Sequence, residues 1–181
     1  MDYSVRRAEM ADFERISGIY AEARRFMREH GNASQWGNDR PSEEEVKTDI
    51  CLGRLYVIAD GAEICAVFEL NSDGDECYRR IEGEWLSPLP YVAIHKVASS
   101  FSHRGMLHRI VQFAKERSGH LKIDTHADNL VMQNALSKEG FSRRGIIHLA
   151  DGSPRIAYEY FARTGGAQCE GKGGRDGTEG A

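Results

Sequence analysis

The segment Tyr91-Val-Ala-Ile-His-Lys-Val-Ala-Ser-Ser-Phe-Ser-His-Arg-Gly-Met-Leu107 decides the fold. From Tyr91 to Ala98 apolar and β-branched residues dominate and neither Gly nor Pro interrupts, which predicts a strand. Two serines end it, and Ser102-His103-Arg104-Gly105 makes a tight polar turn. Leu107, Ile110, Val111 and Ala114 then recur on one helical stripe. Strand, short turn and helix together aim free backbone N–H groups at one point. The first helical turn has no internal acceptors for them, and the macrodipole adds positive charge there. The stretch reads as a seat for a phosphate-bearing ligand.

The spacing narrows that ligand. No Gly-x-x-x-x-Gly-Lys-Ser/Thr run exists, and Gly105 stands alone where a dinucleotide fingerprint needs three glycines. The segment resembles instead the acetyl-CoA motif of the GNAT N-acetyltransferase superfamily, Val-x-x-x-x-Arg/Gln-x-x-Gly-x-Gly/Ala. Val97 takes the strand position, Ser102 the Arg/Gln position, Gly105 the first glycine and Leu107 the last. Ser102 and Leu107 depart from the pattern, which implies weaker cofactor binding or a turn of altered shape. The order that follows also resembles the family: Leu121-Lys-Ile-Asp-Thr-His-Ala-Asp-Asn129, a short helix, then Gly140-Phe141. The Asp-Thr-His-x-Asp-Asn-x-x-Met-Gln run is similar to that of a bacterial GNAT subgroup of undefined substrate. The resemblance spans Tyr3 to Phe161.

Composition sets outer bounds. The 181 residues suffice for one domain with a real core, and 40% hydrophobic with 29% charged residues is ordinary for a soluble protein. A net charge of -4 gives no sign of a nucleic-acid or anionic-membrane partner. No run approaches the ~18 apolar residues of a spanning helix, and the N-terminus lacks the apolar centre of a signal peptide, so the cytoplasm is expected. Cys51, Cys65, Cys77 and Cys169 show no paired metal spacing, and no metal is expected. Cys65 reads as a buried free thiol in an apolar strand.

Along the chain, Tyr3 to Ala8 alternates as a short strand, and Met10 to His30 is a helix carrying Phe13, Ile16, Tyr20, Ala23 and Met27 at three- and four-residue steps. Asn32 to Arg40 is a polar loop holding Trp36. Ser42 opens a second helix with Glu45 reaching back in a capping box, and that helix ends near Gly53. Strands Leu55–Ala59 and Glu63–Leu70 flank the hairpin signal Asp60-Gly61. The acidic run from Asn71 to Glu76 lacks the twelve-residue calcium-loop pattern and reads as a solvated loop, with Cys77 to Pro90 leading into the central strand. Later strands run His120 to His126, Phe141 to Leu149 and Arg155 to Phe161, with the short helix from Asn129 to Gly140 among them. Residues 1–163 form the domain, and 164–181 read as a Gly-rich disordered tail.

This order is mixed α/β, an α+β mixed sheet, and one strand-helix-strand crossover from Tyr91 to His126 implies a parallel pair. The resemblance implies the GNAT acyltransferase architecture, a central mixed sheet of about seven strands flanked by about four helices. It also implies that the parallel pair splays apart at its carboxyl ends and takes the pantetheine arm of acetyl-CoA in the gap. The diphosphate would sit on backbone N–H groups from Ser102 through His103, Arg104, Gly105 and Met106 to Leu107, with Gly105 leaving no Cβ in the way. Val97, Ala98 and Ser99 would align the arm, Val97 N–H facing the thioester oxygen. Asn129 matches the family's Asn beside the arm, and equally suits a helix cap.

Acetyl transfer to an amine also needs a proton acceptor. Strand alternation puts Tyr91, Ala93, His95 and Val97 on one face, and Asp124 with His126 on one face of the parallel neighbour. His95 leads because imidazole titrates near neutral pH; Glu69, Asp124 and His126 are the other candidates. The family's general acid is a Tyr at the position of Leu136, so that role is not carried over. An ordinary thiol pKa of ~8.5 lets the CoA thiolate leave without full protonation. Trp36 and Trp85 are the candidate acceptor-binding residues. The expected activity is acetyl transfer from acetyl-CoA to a primary amine, the partner a small-molecule amine, and a homodimer is compatible with it. The alternatives are a non-catalytic acyl-CoA-binding module of the same fold, and an α/β protein using the turn for another phosphate ligand or for none.

Overall fold

A computed structural model describes residues 2–162. The 164–181 tail reading lies outside the described residues. Eight strands form one sheet: β1 (Tyr3–Arg7), β2 (Leu55–Asp60), β3 (Glu63–Asn71), β4 (Glu82–Gly83), β5 (Val92–Ser99), β6 (His120–Thr125), β7 (Ser142–His148) and β8 (Pro154–Phe161). Four helices cover it: α1 (Phe13–Glu29), α2 (Glu43–Cys51), α3 (Met106–Lys115) and α4 (Leu130–Lys138). The strand order is β1-β2-β3-β5-β6-β8-β7-β4. The strand beyond the expected seven is β4, two residues long and paired with β7 through Gly83 and Gly145. A Cβ at either glycine would come within 2.2 Å of a backbone oxygen on the other strand. Only glycine lets this edge close so tightly, and two residues are too few to show a period in sequence.

Both helical layers follow from apolar faces. Ile110, Val111 and Ala114 of α3 and Leu136 of α4 pack with Phe68, Leu70, Ile94, Leu121 and Ile123 on one side of the sheet. On the other side Ile16, Ile19, Tyr20 and Ala23 of α1 and Val46 and Ile50 of α2 cover Leu55, Val57, Val67 and Ala98. The expected capping box holds α2: Glu45 N–H donates to Ser42 Oγ at 3.2 Å and Ser42 N–H donates to Glu45 Oε2 at 2.7 Å. The first helix departs slightly, since Met10–Asp12 is a 3-10 turn and α1 proper begins at Phe13.

Two irregularities shape the centre. Among the described residues the only parallel pair runs Val92↔Leu121, Ala93↔Lys122 and Ile94↔Ile123, then stops, although β5 continues to Ser99 and β6 to Thr125. Against β3, His95 faces Glu69 and Ala98 faces Val67, so Lys96 and Val97 together oppose one residue. This is a β-bulge, and Lys96 takes a left-handed φ of 52°. It overturns the simple alternation: His95 stays on the α1–α2 side with Ala93, while Val97 is turned to pack against the α3 core.

Leu136, at the position where the family carries its tyrosine, is fully buried in the α3–α4 core. Leu136→Ala is expected to lower unfolding stability by about 2–5 kcal/mol, from lost burial and the cavity left behind. Urea titration at unchanged m-value checks it.

Candidate active site

Where β5 and β6 part, a cleft of about 1220 Å³ opens, walled by Ile94, His95, Lys96 and Val97 on one side and Ile123, Asp124, Asn129 and Met132 on the other. The loop between α1 and α2, through Gln35 and Trp36, and the β7–β8 turn close its outer end. From His95 onward the edge of β5 that would face β6 has no ladder partner.

His95 sits between two carboxylates. Its Nε2 lies 3.0 Å from Asp75 Oδ2 and its Nδ1 3.8 Å from Asp124 Oδ1. The Asp75 contact is an ion pair off the line a hydrogen bond needs, so Nε2 is shut away from solvent without a hydrogen-bond partner. Both carboxylates are themselves oriented. Asp75 Oδ1 accepts from Cys77 N–H at 3.1 Å and from Cys77 Sγ–H at 2.9 Å, and Asp124 Oδ1 accepts from Tyr78 O–H at 2.8 Å. The Tyr78 ring packs beside the imidazole at 5.6 Å between centroids.

The electrostatics follow from this geometry. Burial disfavours the imidazolium, but the carboxylates of Asp75, Asp124 and Glu69 outweigh it and raise the His95 pKa. In return His95, more than burial, sets Asp75, whose carboxyl is held well below the usual range. Burial and Asp75 push the Cys77 thiol far up, which leaves it a hydrogen-bond donor rather than a nucleophile.

Lys96, thrown inward by the bulge, forms a second cluster. Its ammonium pairs with Asp49 of α2 and lies 3.2 Å from Glu69 Oε2, while Tyr20 O–H donates to its carbonyl at 3.0 Å. Burial opposes the ammonium, and Glu69 and Asp49 overcome it, so the Lys96 pKa is raised. Burial also raises Asp49 against the pull of Lys96.

The expected residues divide accordingly. His95, Glu69 and Asp124 meet in the cleft, Val97 forms part of its wall, and Trp36 lines it while packing edge-on against Tyr20 at 5.6 Å. Glu69 is committed to Lys96. His126 is a correction: β6 ends at Thr125, and His126 is not among the residues that line the cleft, its Nδ1 accepting from Asp128 N–H at 3.2 Å and its Nε2 3.3 Å from Oγ of the lining residue Ser34. Trp85 is another. It lies outside the cleft, its Nε1–H donating to Tyr78 O at 3.0 Å and its ring under Lys122 Nζ.

Asn129 lines the cleft and also caps α4, accepting from Met132 N–H at 3.1 Å. Ala98 is buried against α1 and Ser99 is half-buried at the end of β5. The turn lies beyond β5, where Gly105 adopts φ 75° as the N-cap of α3. The N–H groups of Met106, Leu107 and His108 precede the first backbone bond of α3, Arg109 N–H to Gly105 O at 3.3 Å. Ser102 Oγ and Ser100 Oγ both lie 3.0 Å from His103 Nδ1, Arg104 is exposed, and Met106 is buried. Leu107 is half-buried with its side chain packed against the α3 core. Asp75 is the clearest omission, since its run reads as a solvated loop. Its Asx-type bond to Cys77 N–H, two residues on, and the lysine interrupting an apolar strand at Lys96 are the signals that mark both.

No protein-family model matches the chain, and no curated protein matches it. Among solved structures, an acetyltransferase of the GNAT family from Streptococcus agalactiae is similar at TM-score 0.80 and 27% identity, over 88% of this chain and 95% of that one. A putative acetyltransferase from Salmonella typhimurium with its cofactor acetyl-CoA is similar at 0.60 and 13%, over 92% and 98%. An aminoglycoside acetyltransferase in complex with coenzyme A is similar at 0.60 and 16%, over 88% and 95%. The chain has the GNAT acetyltransferase fold.

Because the three carboxylates stabilise its imidazolium, His95 is expected to titrate above the ordinary value of ~6.5. Asp75→Asn removes the nearest anion and should move that midpoint down. Histidine ring shifts followed by NMR across pH 5–9 check both the position and the sign.

Proposed function

We propose that the protein transfers an acetyl group from acetyl-CoA to a primary amine of a small-molecule acceptor, with His95 as the proton acceptor. The observation that carries this reading is the coincidence of the strand split with a half-buried imidazole held between Asp75 and Asp124. Similarity to a GNAT-family acetyltransferase supports the class of reaction.

The residues present fit acetyl-CoA. The unpaired edge of β5 from His95 to Ser99 offers main-chain groups to an extended arm, and the first N–H groups of α3 offer donors to a diphosphate. When bound, the thioester supplies an activated acetyl group. Val97 and its neighbours on β5 align that arm, and the apolar Ile94, Ile123 and Met132 exclude water around it.

His95 takes the proton that the amine must shed on forming the amide. Only Nε2 is closed off from solvent, so Nδ1 is the nitrogen available in the cleft, while Asp75 at Nε2 stabilises the imidazolium that results. A module that only binds an acyl-CoA has no use for an imidazole so placed, which favours catalysis over the binding-only alternative.

Acetyl-CoA is expected to raise the melting temperature by mass action and ATP to leave it unchanged. His95→Ala should lower kcat by roughly 10²–10⁴-fold with acetyl-CoA affinity retained. The base works neutral, so with a raised pKa the kcat/KM profile should climb with pH through a midpoint above ~6.5. Thermal-shift titration reads the binding and thiol release from an amine panel reads the turnover, and unimpaired turnover by His95→Ala would remove the imidazole from the mechanism.

A further inference from the structure

The cleft has two electrically different ends. At one end His95 and Lys96 each have carboxylate partners close by. At the other end lies Arg155 of β8, which lines the cleft with only 6% of its surface exposed. Its bonds all go to neutral acceptors: Nη1–H groups donate to Ser153 Oγ at 3.3 Å and Pro154 O at 2.9 Å, and an Nη2–H donates to Gln35 O at 3.1 Å. Among the described residues no carboxylate lies within ion-pairing distance of it. The acid whose charge Arg155 does feel, Asp151, stays beyond ion-pairing distance and is bonded to Ser153, accepting from its N–H at 2.9 Å and its O–H at 2.6 Å. Arg40, which also lines this end, already faces Glu45 at 3.5 Å.

A guanidinium has five N–H donors, so Nε–H and one Nη2–H of Arg155 are left without a protein partner. A buried charge whose counter-ion is no nearer than Asp151 gains from a closer one, and the fork of arginine matches the two oxygens of a carboxylate or phosphate. The strand order β5-β6-β8 sets Arg155 two strands from His95 and two residues beyond Ala157, the partner of Asp124, so with β5 and β6 parted the backbones lie more than ~10 Å apart, a gap for an acceptor between the two side chains.

We propose that Arg155 recognises an oxyanion group on the acceptor, so that the acceptor is a small amine that also bears a carboxylate or phosphate. This rests on the acetyl-transfer reading above. The amine is presented to His95 while the oxyanion sits on the free edge of Arg155. Gln35 fixes that edge: its main-chain carbonyl holds Nη2, and its side-chain Oε1 accepts from Asn129 Nδ2 at 2.9 Å and Asn32 Nδ2 at 2.8 Å.

Matched probes test it: L-ornithine against putrescine, L-lysine against cadaverine, and O-phosphoethanolamine against ethanolamine. Thiol release with saturating acetyl-CoA gives kcat/KM, and calorimetry with the CoA complex gives binding without turnover. The oxyanion-bearing member of at least one pair is expected to be favoured about tenfold or more, the scale of one charge-assisted contact. Arg155→Gln should abolish that preference and Arg155→Lys retain part of it, with acetyl-CoA affinity unchanged in both. The three pairs tell carboxylate from phosphate.

Equal use of both members of every pair by the wild-type protein, or preference for the member without the oxyanion, overturns the proposal even if the variants fail to fold. An oxyanion preference that survives in folded Arg155→Gln overturns it as well. Binding of the oxyanion-bearing amines that depends on Arg155, with no thiol released from any probe, supports this proposal and places the failure in the acetyl-transfer reading.

Discussion

The parallel hydrogen bonding between β5 and β6 ends at Ile94 and Ile123, and every functional feature of the molecule depends on that ending. Each strand can leave the other because each is held on its far side. β5 is paired with β3 from Asn71↔Ala93 to Ala66↔Ser99, and β6 is paired with β8 from His120↔Phe161 to Thr125↔Ile156. The bulge at Lys96 bends β5 away two residues past the last pair. The left-handed turn there costs a lysine roughly 1–2 kcal/mol of backbone energy. The Lys96 pairs with Asp49 and Glu69 and the Tyr20 bond to its carbonyl hold that conformation.

The same bend decides which groups end up buried and charged. His95 and Lys96 are adjacent in sequence yet each faces its own carboxylates, Asp75 and Asp124 for one, Asp49 and Glu69 for the other. A regular strand would have sent one of these two side chains through to the α3 side. Paired burial of this kind adds little net stability, because desolvation consumes most of the Coulombic gain, and removal of one member strands the other. Its worth lies in setting protonation. The carboxylates that raise His95 also keep an imidazolium tolerable in a closed site, as a base near neutral pH requires.

Legibility in the sequence followed regularity. The α3 stripe, the Ser42–Glu45 capping box, the Asn129 cap and the crossover from Tyr91 were readable because each is a local rule with a fixed spacing. The split itself came only from resemblance. What escaped depends on broken periods or long-range contacts. Simple alternation puts Val97 on the face of His95, and the bulge interrupts it. Asp75 was hidden in a run whose composition is that of a solvent loop, and only the return of Cys77 and Tyr78 onto β5 and β6 turns it inward. His126 fell one residue past the end of β6, where a strand's face no longer means anything. Arg155 opens a strand as an unremarkable charged residue, and its lack of a carboxylate within ion-pairing distance is a property of the assembled cleft alone.

In the proposed reaction the two halves of the sheet meet across the acceptor. Strands β3 and β5 carry Glu69, His95 and Lys96, while β6 and β8 present Asp124 and Arg155 across the gap. An acceptor lying in the cleft touches both halves, so its orientation is set by the sheet's own spacing rather than by one flexible loop. Gln35 keeps the α1–α2 loop consistent with this. Its Oε1 is bonded to Asn129 at the start of α4 and its carbonyl to Arg155, so the loop that roofs the cleft is fastened only to the β6–β8 half at these points. Trp36, next in the chain, packs on Tyr20, whose hydroxyl holds the bulge on β5. Two consecutive residues thus tie the roof to opposite sides of the split, and any change in its width is felt at the proton acceptor and at the recognition end together.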